Sequence, residues 1–160
     1  VAQEIERKFR VRDDGWRAGA QSSRALRQGY LCLDPERSVR VRLAGARGTL
    51  TLKGASRGAT RLEYEYEIPA AEAREILERL CLRPLIEKTR HLVPCAGRTW
   101  EVDEFGGENA GLVLAELELA SEDEEPELPE WVGEEVTGDP RFYNVSLVSR
   151  PFSSWGKPPR

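Results

Sequence analysis

Arg61-Leu62-Glu63-Tyr64-Glu65-Tyr66-Glu67-Ile68 alternates without a break between charged and apolar side chains. A period of two places successive side chains on opposite faces of an extended strand, so Arg61, Glu63, Glu65 and Glu67 share one face and Leu62, Tyr64, Tyr66 and Ile68 the other. The scheme recurs along the chain. Glu4, Glu6 and Lys8 share a face opposite Ile5 and Phe9, and Arg40 and Arg42 oppose Val39, Val41 and Leu43. Thr49, Thr51 and Lys53 fall together, Lys88 and Arg90 stand two apart, as do Glu101 and Asp103, and Glu116 and Glu118 share a face with Leu114. A weaker pattern over 23–33 groups Leu26, Gln28 and Tyr30. A solvated strand face mixes lysine, glutamate, threonine and serine with little order. Here like charges pair at i, i+2 instead, on about seven or eight expected strands.

Both faces are served if the sheet closes on itself. The apolar faces then turn outward under helices and the charged faces line a lumen, and an eight-stranded barrel leaves room for one small ligand. The expected fold is therefore α+β, and if the sheet closes it is a β-barrel with a polar lumen and helices outside. Pro69 stops one strand, and Ala73, Ile76, Leu77 and Leu80 follow at the spacing of an amphipathic helix that ends before Pro84. Beyond the acidic run 122–125 and Pro126, Leu128, Trp131, Val132 and Val136 read as a second helix closed by Gly138. Asp139-Pro140 opens a last helix over 142–148, and 152–160 reads as a loosely held tail. Tyr64, Tyr66, Trp100 and Trp131 read as core or helix-packing residues, and His91, on the outward face, as structural.

The chain has 160 residues, 39% of them hydrophobic, enough for one domain over 1–160 with its core at about 2–150. A net charge of −4 argues against a general nucleic-acid binder and for a small-molecule partner. Cys32, Cys81 and Cys95 are widely spaced and form no CxxC, so neither a disulfide framework nor a zinc site is expected. No signal peptide opens the sequence, and no apolar run approaches the roughly 20 residues that span a bilayer. A cytoplasmic protein without membrane partners is expected, with homodimerisation left open. There is no GxxxxGK phosphate cradle. Charges gathered in a lumen cost several kcal/mol each, in order of magnitude, unless water, metal or ligand compensates them. A phosphate chain bound with a divalent metal would satisfy both signs.

In order, Glu4-x-Glu6-x-Lys8, Arg40-x-Arg42, Lys53, Glu63-x-Glu65, Lys88-x-Arg90, Asp103 and Glu116-x-Glu118 resemble the CYTH superfamily, the triphosphate tunnel metalloenzymes. The resemblance spans nearly the whole chain and implies a closed eight-stranded antiparallel β-barrel, a tunnel that binds triphosphates with Mg2+ or Mn2+. It implies metal ligation by Glu4, Glu6, Glu116 and Glu118, and phosphate contacts by Lys8, Arg40, Arg42, Lys53, Lys88 and Arg90, with Glu63, Glu65 and Asp103 as secondary candidates. Tyr30 resembles the tyrosine that pairs with the motif lysine in bacterial tripolyphosphatases. The expected activity is hydrolysis of inorganic triphosphate to pyrophosphate and phosphate. Alternatives on the same fold are a class IV-type adenylate cyclase, a thiamine or nucleoside triphosphatase, and a polyphosphate-binding module without turnover. For the base, Lys8 in its neutral form assisted by Tyr30 is expected, with a carboxylate or cation-activated water as alternatives; Arg40, Arg42 and a cation would lower the Lys8 pKa, Glu6 and bound triphosphate would raise it, and the sequence settles neither sign.

Overall fold

The computed structural model describes residues 3–156. Alternation produces strands β1 (Gln3–Val11), β2 (Ser22–Cys32), β3 (Arg37–Ala44), β4 (Arg47–Gly54) and β5 (Thr60–Ile68). Helix α1 (Ala70–Arg79) follows, then β6 (Ile86–Cys95), β7 (Arg98–Phe105), β8 (Val113–Glu118), a short β9 (Val132–Glu135) and helix α2 (Asn144–Ser149). The strands pair antiparallel in the order β5-β4-β3-β2-β6-β7-β8-β1, and β1 returns to β5 to close an eight-stranded barrel. Closure rests on three residue pairs, Gln3 with Leu62, Glu4 with Arg61 and Ile5 with Thr60, extended by one bond from Glu6 N–H to the Ala59 carbonyl at 3.1 Å. Farther along β1 the same edge passes to β9 through a register shift between Phe9 and Val11.

Three apolar clusters hold the barrel. Outside one wall, Phe9, Val93, Trp100, Val102, Ala115 and Leu117 are covered by Trp16, Trp131 and Val132. Outside another, Val41 lies under Ala73 and Leu77 of α1, where Gly48 lets the helix close in: a Cβ there would stand 2.8 Å from that of Ala73. The third cluster is inside. Four inward-facing rows each turn apolar at the same end, with Ile86 two residues from Lys88, Phe105 from Asp103, Leu114 from Glu116 and Tyr30 from Gln28. Phe142, Leu147 and Val148 pack into that apolar end, so α2 stoppers the barrel.

Several expectations need correction. The segment carrying Leu128, Trp131, Val132 and Val136 is no helix; Pro126 and Pro129 break the helical ladder, and Val132 and Glu135 instead pair with Val11 and Phe9. The acidic run accordingly heads no helix, and Glu124 accepts from the Ala120 and Ser121 amides and pairs with Arg98 at 2.6 Å. Tyr64 and Tyr66 are exposed, since no helix covers the outer face of β5, whereas Trp100 and Trp131 are core. The last helix starts at Asn144 after a 3-10 turn, Pro140–Phe142, which Asp139 caps through the Arg141 amide. The tail is docked as far as Trp155, which meets Phe142 and Phe152 edge-on at 5.2 and 5.1 Å; 157–160 lie outside the described residues. Among the described residues no helix is long and apolar enough to cross a membrane.

Candidate active site

The lumen is a cavity of about 580 Å³ lined by seven carboxylates and seven lysine and arginine side chains. Strand register brings them together. Because β1 and β8 pair antiparallel, Glu6 stands opposite Glu118 and Lys8 opposite Glu116, so the two glutamate motifs meet across one ladder. Arg40 and Arg42 of β3 face Tyr30 and Gln28 of β2 on one side and Thr51 and Thr49 of β4 on the other. Arg90 of β6 stands opposite Asp103 of β7.

Most of these charges compensate one another. Glu4 takes Lys53 at 3.1 Å and Arg61 at 3.6 Å, and Glu116 takes Lys8 at 3.5 Å and Arg90 at 3.7 Å. Asp103, fully buried, accepts Arg90 through both oxygens at 2.8 and 2.9 Å and Lys88 at 2.7 Å. Burial works against its ionisation, but Lys88 and Arg90 hold its pKa below the ordinary value. Likewise burial opposes Glu116, yet Lys8 and Arg90 keep it well below the carboxylate range.

Glu6 and Arg42 are left out of this balance, and Arg40 meets only Glu65, at 3.8 Å. Glu6 has no ion-pair partner among the described residues, and burial, reinforced by Glu116 and Glu4, pushes its carboxyl up to about 8. Arg42 makes no ion pair among them, and burial with Arg40 and Arg90 close by brings it down to about 10. Arg40 is 7% exposed; one Nη donates to Thr51 at 3.2 Å while its Nε–H is buried without a partner. A buried charge without a counter-charge is expensive. The lumen thus offers carboxylates that lack a cation, Glu6, Glu63 and Glu118 among the described residues, and two guanidinium groups short of acceptors.

All the expected site residues reach the lumen. Glu4, Glu6, Glu116, Glu118, Lys8, Arg40, Arg42, Lys53, Lys88, Arg90, Tyr30, Glu63 and Glu65 line the cavity, and Asp103 lies directly behind Lys88 and Arg90. As the side chains stand, no group of three acids among the described residues converges as a metal site, because Glu4 and Glu116 are drawn to lysine and arginine. For Lys8, whose sign the sequence left open, burial pulls the pKa down, but Glu116 and Glu6 more than offset this and raise it above the ordinary lysine value. Lys8 also donates to the Phe142 carbonyl at 3.2 Å, a bond its ammonium makes from inside the stoppered end. The lysine whose ammonium is disfavoured is Lys88, brought down to about 7 by burial and by Arg90 and Arg42, against the pull of Asp103. Tyr30 lines the cavity, yet its hydroxyl has no hydrogen-bond partner among the described residues, Lys8 included.

Sequence reasoning left out several lining residues. Glu101 and Arg61 share faces with Asp103 and Glu63, so period two already placed them. Tyr143 and Asn144 carry no charge to mark them, and they arrive from the residue before α2 and the first residue of it. His91 is indeed outside, 4.8 Å from the Trp16 ring centroid and 3.3 Å from Glu104.

Fold and lumen define the class first: a small closed antiparallel barrel that binds its ligand within, through interleaved acids and bases. The CYTH domain family matches residues 2–150, and the chain belongs to that family. It is 52% identical to an inorganic triphosphatase of Acetivibrio thermocellus over 97% of this chain and 99% of that one. It is 37% identical to an inorganic triphosphatase of Nitrosomonas europaea, over 91% and 96% of the two chains. A solved inorganic triphosphatase structure superposes with a TM-score of 0.67 at 35% identity, covering 91% of this chain and 97% of that one.

Proposed function

We propose that this protein hydrolyses inorganic triphosphate to pyrophosphate and phosphate, with Mg2+ or Mn2+ as cofactor. The observation that carries the reading is a stoppered lumen in which seven carboxylates balance seven cationic side chains. A site for a bare anion would be net positive, and a site for a bare metal net negative. A balanced lumen suits a ligand that brings both signs, and names carried by relatives up to 52% identical point to the same ligand.

The residues fit a divalent cation. Glu6 is a buried carboxylate without a counter-charge, Glu4, Glu116 and Glu118 adjoin it, and an all-oxygen donor set suits hard cations. When bound there, the cation would supply charge neutralisation at phosphate oxygens and polarise the anhydride. The chain's own part is an exchange of partners. Phosphate oxygens take Lys8, Lys53 and Arg90 from the glutamates that now hold them, and those glutamates become free for the cation. Arg40 and Arg42 gain the acceptors they lack. Arginine forks grip phosphate through paired N–H groups. In the reaction, water oxygen bonds to phosphorus, the bridging P–O bond breaks with its electron pair going to the leaving phosphate group, and the proton that water gives up ends on a product phosphate oxygen or in solvent. Lys8 serves as a positively charged ligand. The three free cysteines accord with a reducing cytoplasm as the working compartment.

The deciding experiment incubates pure protein and metal with tripolyphosphate, ATP or thiamine triphosphate and resolves products by phosphorus NMR. Pyrophosphate and phosphate in equal amounts from tripolyphosphate, faster than from the others, is the expected outcome. Cyclic AMP with pyrophosphate from ATP would make the protein a cyclase, and binding without product would make it a polyphosphate-binding module.

A further inference from the structure

The closed end of the tunnel is spanned by a line of side-chain amides. Asn144, the first residue of α2, accepts at Oδ1 from Lys88 Nζ at 2.8 Å and from Gln28 Nε2 at 3.1 Å. Gln28 in turn accepts at Oε1 from Arg42 Nε at 2.9 Å. Gln28 has no solvent exposure and Lys88 has 5%. The polarity of this line is forced. Arginine and lysine can only donate, so Gln28 must turn its oxygen to Arg42 and its nitrogen to Asn144, and Asn144 must turn its oxygen to both neighbours. Lys88 continues to Asp103 and Asp103 to Arg90. Three cations of the lumen therefore hang on one hydrogen-bonded belt, anchored by a residue of the stopper.

Amides at these two positions have a chemical consequence. A carboxylate at Gln28 would hold Arg42 as firmly but would cancel the charge that a phosphate needs to meet, and one at Asn144 would put a second negative charge beside Lys88, which Asp103 already pairs. An apolar residue would leave the charge intact and let the side chain swing. An amide fixes the direction of the cation and leaves its charge available. Arg42, which makes no ion pair among the described residues, keeps both Nη groups for an incoming oxygen.

We propose that Gln28 and Asn144 are positioning residues that hold Arg42, unneutralised, and Lys88, already paired with Asp103, in register for a phosphate at the closed end of the lumen without adding a further negative charge there. They act through Arg42 and Lys88, and the inference rests on the triphosphatase reading above. Their loss therefore falls on substrate binding more than on the chemical step.

The test compares wild type with Gln28→Met, Asn144→Ala, the double variant and Asn144→Asp, reading KM and kcat for tripolyphosphate at saturating Mn2+ together with the melting temperature. Each single variant is expected to raise KM about tenfold with kcat within about threefold, the pattern of lost binding. Because either change cuts the same belt, the double variant should raise KM about as much as one single, not about a hundredfold. Asn144→Asp keeps shape and acceptor, so a purely structural role predicts wild-type KM and melting temperature. The positioning role predicts a wild-type melting temperature with KM raised at least as far as in Asn144→Ala, because the new carboxylate adds a second negative charge beside Lys88, which Asp103 already pairs, and repels the phosphate. Unchanged KM in the single variants, additive effects in the double, or wild-type KM in Asn144→Asp would each overturn the proposal. If Gln28→Met or Asn144→Ala melts early, Asn144→Asp decides alone. Wild type that turns over no tripolyphosphate refutes the triphosphatase reading and this inference with it, whereas active wild type beside unaffected variants refutes the inference alone.

Discussion

Replacing Glu6 with glutamine keeps the size of the side chain and removes a lumen carboxylate that has no ion-pair partner among the described residues and whose proton affinity is raised. In the folded protein its carboxyl binds a proton up to about pH 8, against an ordinary value of 4.5. The folded state therefore holds that proton more tightly than the unfolded chain. Its contribution to stability is complete below about pH 4.5 and is lost as pH rises through about 8. At roughly 1.4 kcal/mol per tenfold in proton affinity, the cost of ionising Glu6 at pH 8.5 is at most about 5 kcal/mol. Water reaching the lumen mouth screens part of this, and about 2 kcal/mol is expected. For a chain of this size that is a rise in Tm of about 4–8 °C for metal-free Glu6→Gln over wild type at pH 8.5, shrinking toward zero at pH 5. Adding Mn2+ should reverse the order, since a ligand at a hundred times its Kd stabilises by about 2.7 kcal/mol and the variant lacks a key oxygen. Thermal melts at both pH values, with chelator and with Mn2+, read all four states. A variant no more stable than wild type at pH 8.5, or equally stabilised by Mn2+, would refute the assignment of Glu6 as an uncompensated charge awaiting a cation.

Chelator should abolish tripolyphosphate turnover, and Glu118→Gln should cut kcat by about a hundredfold or more with the melting curve unchanged, read by phosphate release. Arg40→Ala or Arg42→Ala should raise KM about tenfold or more while Mn2+ binding by calorimetry persists, because these side chains hold no carboxylate tightly. Lys8→Met should lose about a hundredfold in kcat/KM and Lys8→Arg recover much of it, measured from pH 6 to 10; a charge-bearing ligand predicts this, whereas abolished kcat in Lys8→Arg would restore the lysine-base mechanism. Gly48→Ala should destabilise by about 1–3 kcal/mol in urea unfolding, since the new Cβ would meet Ala73 Cβ at 2.8 Å and the Ile68 carbonyl at 2.9 Å.

The barrel was legible because period two acts on every strand. Once one face is apolar and the other charged, closing the sheet satisfies both, and the expected charged rows do line the lumen. The site's composition was legible for the same reason. Three features were not. The stopper depends on Phe142, Leu147 and Val148 filling the apolar ends of rows whose charged members drew attention, and nothing local to 142–148 says that it enters a barrel. The strand at Val132–Glu135 was hidden by apolar spacing compatible with a helix, and only the free edge of β1 decides between them. The proton affinities of Lys8 and Lys88 turn on which acids they meet: Lys8 faces Glu116 and Glu6, whereas Lys88 shares Asp103 with Arg90. Spacing along a strand fixes the face a lysine occupies; cross-strand register fixes its neighbours.

The strand that carries Glu4, Glu6 and Lys8 is also the clasp of the barrel, fastened to β5 by three residue pairs and to β8 more than a hundred residues downstream. Such distant partners meet late in folding. Until they do there is no lumen, and each of its charges stays hydrated. The cost of drying them therefore falls on the final fastening and is not spread over the whole assembly of the sheet. A ligand that bridges β1 to its neighbours works as a rivet at that seam. Without it, the first part of the molecule to loosen is the part that would do the chemistry.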